Sequence, residues 1–288
     1  MSQRPVTCGL CDDAGMTKAT GPLTRDVLAA ELRHLGLRAG DVVLVHSSLK
    51  ALGWVCGGPV TVVDALLDVL GQSGTLVSYA QSPDNRDPSR WHHRPVPPQW
   101  WPAIRANLPG FDPATTPCRE LGLVAETIRT WPGAVRSAHP QTSFTAVGAA
   151  AHDLMSVHEL ESELGERSPL AALEAIDAKI LLLGVGYDRC TAFHLAEYRL
   201  PSRASRSNAC CIRTAGGPEW VSFEGAVLDS SDFADLGRVY ESSSTAVVRR
   251  KIGAGQARLM PLPGAVDFAT SWLRAARPMT PERATLPH

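Results

Sequence analysis

Residues 41–79 read strand, loop, helix, strand, and that order constrains the fold more than any other stretch. Residues 41–46 (DVVLVH) form a nearly continuous apolar run, the pattern of a strand buried on both faces. A loop rich in hydroxyls and glycines follows from Ser47 to Gly58. Pro59 is well placed to start a helix, because its missing N–H would have no partner in the first turn anyway. Val62, Val63, Leu66, Leu67 and Leu70 give that helix a buried face, Gly71 and Gly74 bracket its end, and Thr75–Tyr79 is the next strand. Two strands joined by a helical crossover pair in parallel within one sheet.

A second strand-to-helix passage carries titratable groups. Residues 180–185 are another apolar run, bounded by Gly184 and Gly186. The chain then turns, with Asp188 and Thr191 suited to cap a helix that bears His194, Glu197 and Tyr198 on one face. Strand ends running into helix starts are common sites of α/β chemistry. The same residues also read as a hydrogen-bonded core histidine and a solvated glutamate.

The remaining segments complete an α/β pattern. Residues 23–37 form a helix capped by Thr24. Residues 81–117 hold six prolines between Pro83 and Pro102, with Trp91, Trp100, Trp101 and the pair His92 and His93. So many aromatics mark an ordered insertion, the usual form of a lid or binding wall. A helix follows over 119–131, a turn at Pro140 leads into a short strand ending near Gly148, and Ser168 and Pro169 start another helix. Residues 209–213 and 220–223 flank a glycine turn as a hairpin. A helix runs from residues 229–232 (DSSD) through Tyr240, a second helical stretch ends near Lys251, a short strand follows Ala257, and a last helix spans 266–275. Neither a repeat nor a linker is visible. The expected architecture is a single three-layer α/β/α domain with a central mixed sheet over 23–275, between an N-terminal extension (1–22) and a C-terminal tail (276–288).

Composition narrows the function. A formal net charge of −1 over 288 residues gives no basic stripe for nucleic acid. No apolar run is long enough to span a membrane, and the start MSQRPVTCGLCDD has no signal-peptide core, so a cytoplasmic location is expected. The seven cysteines read as reduced thiols. Cys8 and Cys11 form one CxxC, but the adjacent Cys210 and Cys211 are poorly spaced to complete a zinc site, and no metal is expected. The loop 47–58 suits an anion through backbone N–H groups and the helix that follows it. It has no GxxxxGK[ST], and no GxGxxG follows a strand.

VHSSLKALGWVCGG, FDPATTP, LGLVAETIR, PGAVRSAHPQTSFTAVG, RSPLAAL, ILLLGVG and TAFHLAEYR, in this order and spacing, resemble the aminoglycoside 3-N-acetyltransferase family over residues 23–272. The resemblance implies acetyl transfer from acetyl-coenzyme A to the 3-amino group of a 2-deoxystreptamine ring, and aminoglycoside resistance. The alternative is a relative that acetylates a different amine metabolite. By the same resemblance His194 is the catalytic histidine, and Glu197 is among the acidic positions facing the antibiotic; on chemical grounds Glu197 or another carboxylate would hold the imidazole. Ser47, Ser48, Leu49, Arg136, Ser137, Ser143, Phe144, Gly255 and Ala257 match positions lining the coenzyme tunnel. Asp84, Glu126, Asp229 and Asp232 match carboxylates facing the antibiotic, with residues 80–117 forming part of that wall. Arg167 stands where some members carry a histidine, which bears on substrate range. The expected partners are a small-molecule aminoglycoside and coenzyme A, without nucleic acid or membrane, for a monomer or homodimer.

The chemistry agrees. A protonated amine has no lone pair with which to attack a thioester, and an imidazole of ordinary pKa near ~6.5 is suited to deprotonate it at neutral pH. Three rivals stand beside this. Cys190 would be the nucleophile of a covalent hydrolase, although no GxSxG is present. His194 and Glu197 would be the HxxE pair of a metallohydrolase, although Tyr198 replaces its second histidine. A silent binding protein would use the same fold without turnover.

Overall fold

The computed structural model describes residues 21–91, 95–201 and 203–277. The pair Cys8 and Cys11, the pair His92 and His93 and the tail beyond Arg277 lie outside the described residues. The chain opens with helix α1 (Arg25–Leu35), whose Thr24 side chain accepts from the Val27 N–H and whose end turns at Gly36, φ 113°. Strand β1 (Val42–Ser47), the single-turn α2 (Leu49–Leu52), α3 (Gly58–Leu70) and β2 (Thr75–Tyr79) follow, and β1 pairs with β2 in parallel as the crossover requires.

The insertion is a series of short 3-10 turns ending in α4 (Trp101–Asn107). The next helix, α5 (Leu123–Arg129), is shorter than the expected 119–131, because Glu120 at φ 64° and Gly122 at φ 81° cannot belong to a right-handed helix. Then come β3 (Val135–Arg136), β4 (Phe144–Gly148), α6 (Ala151–Met155), α7 (Pro169–Ala175), β5 (Lys179–Leu183) and α8 (Phe193–Tyr198). Neither Asp188 nor Thr191 caps α8: a 3-10 turn over Tyr187–Arg189 intervenes, and Ala192 stands at the cap without a side-chain bond.

The hairpin is longer than its apolar cores suggest, pairing β6 (Ser205–Thr214) with β7 (Gly217–Ala226) as a separate two-stranded sheet. It holds the insertion through bridges Arg86 to Cys210 and Phe111 to Ile212, and through Asn85, whose Oδ1 accepts from the Cys211 N–H at 3.0 Å. Helix α9 (Phe233–Ser243) follows the hairpin. The stretch ending near Lys251 is strand β8 (Val248–Ile252), folded onto β9 (Gly255–Pro261) by a turn that Gly253 makes at φ 59°. Helix α10 (Leu262–Ala276) starts before the expected 266, with Pro263 in its first turn.

One seven-stranded mixed sheet, in the order β3-β4-β2-β1-β5-β9-β8, organises the molecule. Alternation along β1 divides the core in two: Val43 and Val45 face α1, α3 and α5, whereas Leu44 faces α6 to α10. On α3, Val62, Val63, Leu66 and Leu70 are at most 1% exposed, each worth about 1.5–3 kcal/mol of burial. This is a three-layer α/β/α domain.

Candidate active site

Sheet topology creates the cleft before any side chain is considered. Strands β1 and β5 are parallel neighbours, so their C-terminal ends lie at the same edge. The chain leaves β1 toward α3 on one face of the sheet and leaves β5 toward α8 on the other. Where neighbouring connections part in this way, a crevice opens at the carboxyl edge. Backbone closes its floor: the Ser48 N–H donates to Leu183 O at 2.9 Å. A Cβ on Gly184, φ 75°, would come within 3.0 Å of Ser48 O and the Ala51 Cβ. The cavity measures about 1000 Å³ and is bordered by Ser47, Ser48 and Leu49 from the β1 loop, Tyr79 from β2, Glu120 before α5, and His194.

His194 and Glu197 sit three apart on α8, on one face of its first turns. Nδ1 of His194 lies 2.5 Å from Glu197 Oε2, with side-chain exposures of 17% and 4%. A carboxylate at Nδ1 fixes the proton of the neutral ring there and leaves Nε2 basic. Phe233 packs on the ring, centroids 4.8 Å apart. The buried Glu197 is held in turn: its Oε1 accepts from the Asp229 N–H at 3.0 Å and from Arg277 Nη1 at 2.5 Å. Arg277 also donates Nε to Asp232 Oδ2 at 2.8 Å and Nη2 to Asp229 O at 2.6 Å. Tyr198, on the same helical face, turns away from the cleft and receives Arg203 over its ring at 4.3 Å.

The structure separates the other residues implied by the resemblance. Ser47, Ser48 and Leu49 line the cleft. Arg136, Ser137, Ser143 and Phe144 do not: Arg136 donates to Ser143 Oγ, Ala80 O and Ser82 Oγ. Ser137 bonds His158, the Ser143 hydroxyl donates to Ala80 O, and Phe144 packs on Tyr79. Polar groups this deep are satisfied by one another, and through Ser82 and Thr116 O it is Arg136 that holds the sheet to the insertion. Gly255 and Ala257 are buried in β9 under the same edge, where a Cβ on Gly255 would lie 3.0 Å from Ala51 O.

The expected carboxylates are mostly neutralised. Asp84 pairs with Arg119 at 3.1 Å, and Asp232 with Arg277. Glu126 accepts from Arg129 and from the Cys118 N–H; burial opposes its charge, but these partners hold the carboxyl down at about 2. Asp84 and Glu126 line a neighbouring cavity of about 620 Å³ rather than the main cleft. Asp229 accepts from the Ser231 N–H and supports Glu197 through its backbone.

Three residues of the site were not singled out from the sequence. His46 ends β1 at the cleft, 8% exposed, its Nε2 without a partner among the described residues. Burial, with His194 nearby, pushes its pKa down to about 4. A polar residue closing an apolar strand was the legible signal. Glu120, which has no ion-pair partner among the described residues, borders both cavities. Arg277 falls in the segment read as a tail, where no pattern marks it. Cys190 reaches the cleft wall, but burial pushes its thiol up to about 12, far from an activated nucleophile.

A carboxylate-braced imidazole beside a large cleft at the carboxyl edge of a doubly covered sheet is an arrangement able to accept a proton from a bound molecule. The sequence model described as aminoglycoside 3-N-acetyltransferase matches residues 44–274, and the chain belongs to that family of acyltransferases. A Bacillus subtilis (strain 168) protein, "SPbeta prophage-derived aminoglycoside N(3')-acetyltransferase-like protein YokD", is 39% identical over 254 residues, covering 88% of this chain and 93% of its own. The crystal structure of YokD superposes with a TM-score of 0.86 at 37% identity, over 90% of this chain and 97% of that one. Two further solved structures cover 90% of this chain and 100% of their own: "AAC-IIIb binary with CoASH", TM-score 0.80 at 31% identity, and "AAC-VIa bound to Sisomicin", 0.81 at 32%. Among the described residues no helix is long and apolar enough to cross a membrane.

Proposed function

We propose that this protein acetylates the 3-amino group of the 2-deoxystreptamine ring of aminoglycosides at the expense of acetyl-coenzyme A, by direct transfer, and so confers resistance. The observation that carries the reading is the His194 ring at the cleft with its Nδ1 held by a buried carboxylate. His194 Nε2 takes the proton that the acceptor ammonium must lose, and Glu197 stabilises the imidazolium that results. The residues present fit the acyl donor. Ser47, Ser48 and the side-chain-free Gly184 and Gly186 leave room for a slender arm, and Lys50, with no acidic partner among the described residues, suits its phosphates at the rim. Acetyl-coenzyme A supplies the activated acetyl group when bound. We keep 23–275 as the catalytic domain, with the addition of Arg277.

Incubation with acetyl-coenzyme A and a panel of aminoglycosides tests this, with thiol release followed and the acetyl position located by fragmentation mass spectrometry. Acetylation at the 3-amino group, abolished in His194→Ala, is the expected result. Thiol release that persists in His194→Ala removes the general base from the reading.

A different amine as acceptor is favoured by one observation: Asp84, Glu126 and Asp232 already have arginine partners. A polycation needs carboxylates that are not already neutralised. Thiol release with simple polyamines and none with the panel would select that reading.

A further inference from the structure

We propose that Arg277 is a positioning residue that sets the basicity of His194 through Glu197. The inference rests on the reading of His194 as general base. Arg277 follows the last turn of α10, far in sequence from α8, yet its guanidinium reaches Glu197 Oε1 at 2.5 Å while Glu197 Oε2 holds His194 Nδ1. Its other donors bind Asp232 and Asp229 O, so the group cannot swing away without breaking a two-point ion pair. Four ionisable groups therefore lie in a row: imidazole, carboxylate, guanidinium, carboxylate.

The row has a direct electrostatic consequence. A carboxylate in contact with an imidazole favours its protonated form, and Glu197 is 3% exposed, with little water to weaken that pull. Arg277 opposes that pull and leaves Nε2 free to accept a proton from substrate. Asp232 partly offsets Arg277 in turn. Other charged or titratable groups facing the ring are His46 at the end of β1, the Asp229 segment before α9, and Glu163 from the turn before α7, whose charge is coupled to His194. Of these groups Arg277 alone brings a formal positive charge onto Glu197, whose Oε1 also accepts from the Asp229 backbone N–H.

Rate against pH for the whole protein tests the idea, measured with the best acceptor of the panel so that ionisation of the amine is common to all variants. Arg277→Gln should move the acid limb of kcat toward higher pH by about one unit, Arg277→Lys should restore most of it, and Asp232→Asn should move the limb the other way. A purely structural bridge would lower thermal stability in both neutral variants and shift neither limb. Limbs that stay in place, or that move in the same direction, overturn the proposal. Asp232→Asn keeps the test decisive if Arg277→Gln does not fold. His194→Ala separates the two readings: if it retains turnover the general base fails, and if it is inactive while the limbs stay fixed only the role of Arg277 fails.

Discussion

At the residue scale the site depends on one imidazole and on what its neighbours are free to do. His194→Ala should lower kcat by roughly 10²–10⁴ while leaving acetyl-coenzyme A binding by calorimetry within about threefold, since general-base assistance carries that range. Glu197→Gln keeps the shape of the brace but removes its charge; a kcat loss of roughly tenfold or more is expected. Cys190→Ala should keep turnover within about threefold, because a thiol pushed up to about 12 by burial remains protonated at working pH. Inactivation of that variant, or a stable acetyl adduct on Cys190 by mass spectrometry, would restore the covalent route. The HxxE spacing was legible because three residues span one helical face. That Arg277 completes the brace was not, since no sequence pattern joins positions 80 residues apart.

Among the elements, the proline-rich insertion is where local sequence said least. Its prolines and tryptophans announce order but give no periodicity. What secures it is Arg136, whose guanidinium donates to Ser143, Ala80 O, Ser82 and Thr116 O and stacks over Phe111, 5.0 Å to the ring centroid. Burial, reinforced by Arg129, pushes its pKa down to about 10, which leaves it charged at neutral pH. Arg136→Lys retains the charge but loses the planar fork, and should cost about 2 kcal/mol in urea unfolding. A loss below about 0.5 kcal/mol would mean that the carbonyls find other donors. A residue matched to a ligand tunnel by resemblance thus ties the insertion to the sheet.

For the whole molecule, buried histidines govern the response to acid. Burial pushes His46 and His139 down to about 4, and burial together with His139 pushes His158 to about 3. His139 Nδ1 accepts from the N–H groups of Gln141 and Thr142, and His158 Nδ1 meets the Ser137 hydroxyl, so both rings join segments as neutral acceptors. Folded pKa values below the unfolded value near ~6.5 mean that the unfolded chain binds protons first. Their stability is fully present above that pH and is lost as pH falls toward 4, at up to about 1.4 kcal/mol per unit for each ring. Glu163, pushed up by burial, works in the opposite sense, but it is one group against three. The unfolding temperature should therefore fall steeply between pH 6.5 and 4.5 by scanning fluorimetry, and a flat profile would show that these rings are solvated. The sequence alone determined the βαβ start, the layered α/β class, the family motifs and the His194–Glu197 pair, because each is written in spacing over a few turns of chain. Only tertiary structure decided that β8 is a strand, that Arg136 to Phe144 pack inside, that Asp84, Glu126 and Asp232 are paired, and that a residue beyond the last helix bonds the carboxylate beside His194. Those outcomes depend on which distant segments meet, and charge and burial at a meeting point are properties of the pair rather than of either residue.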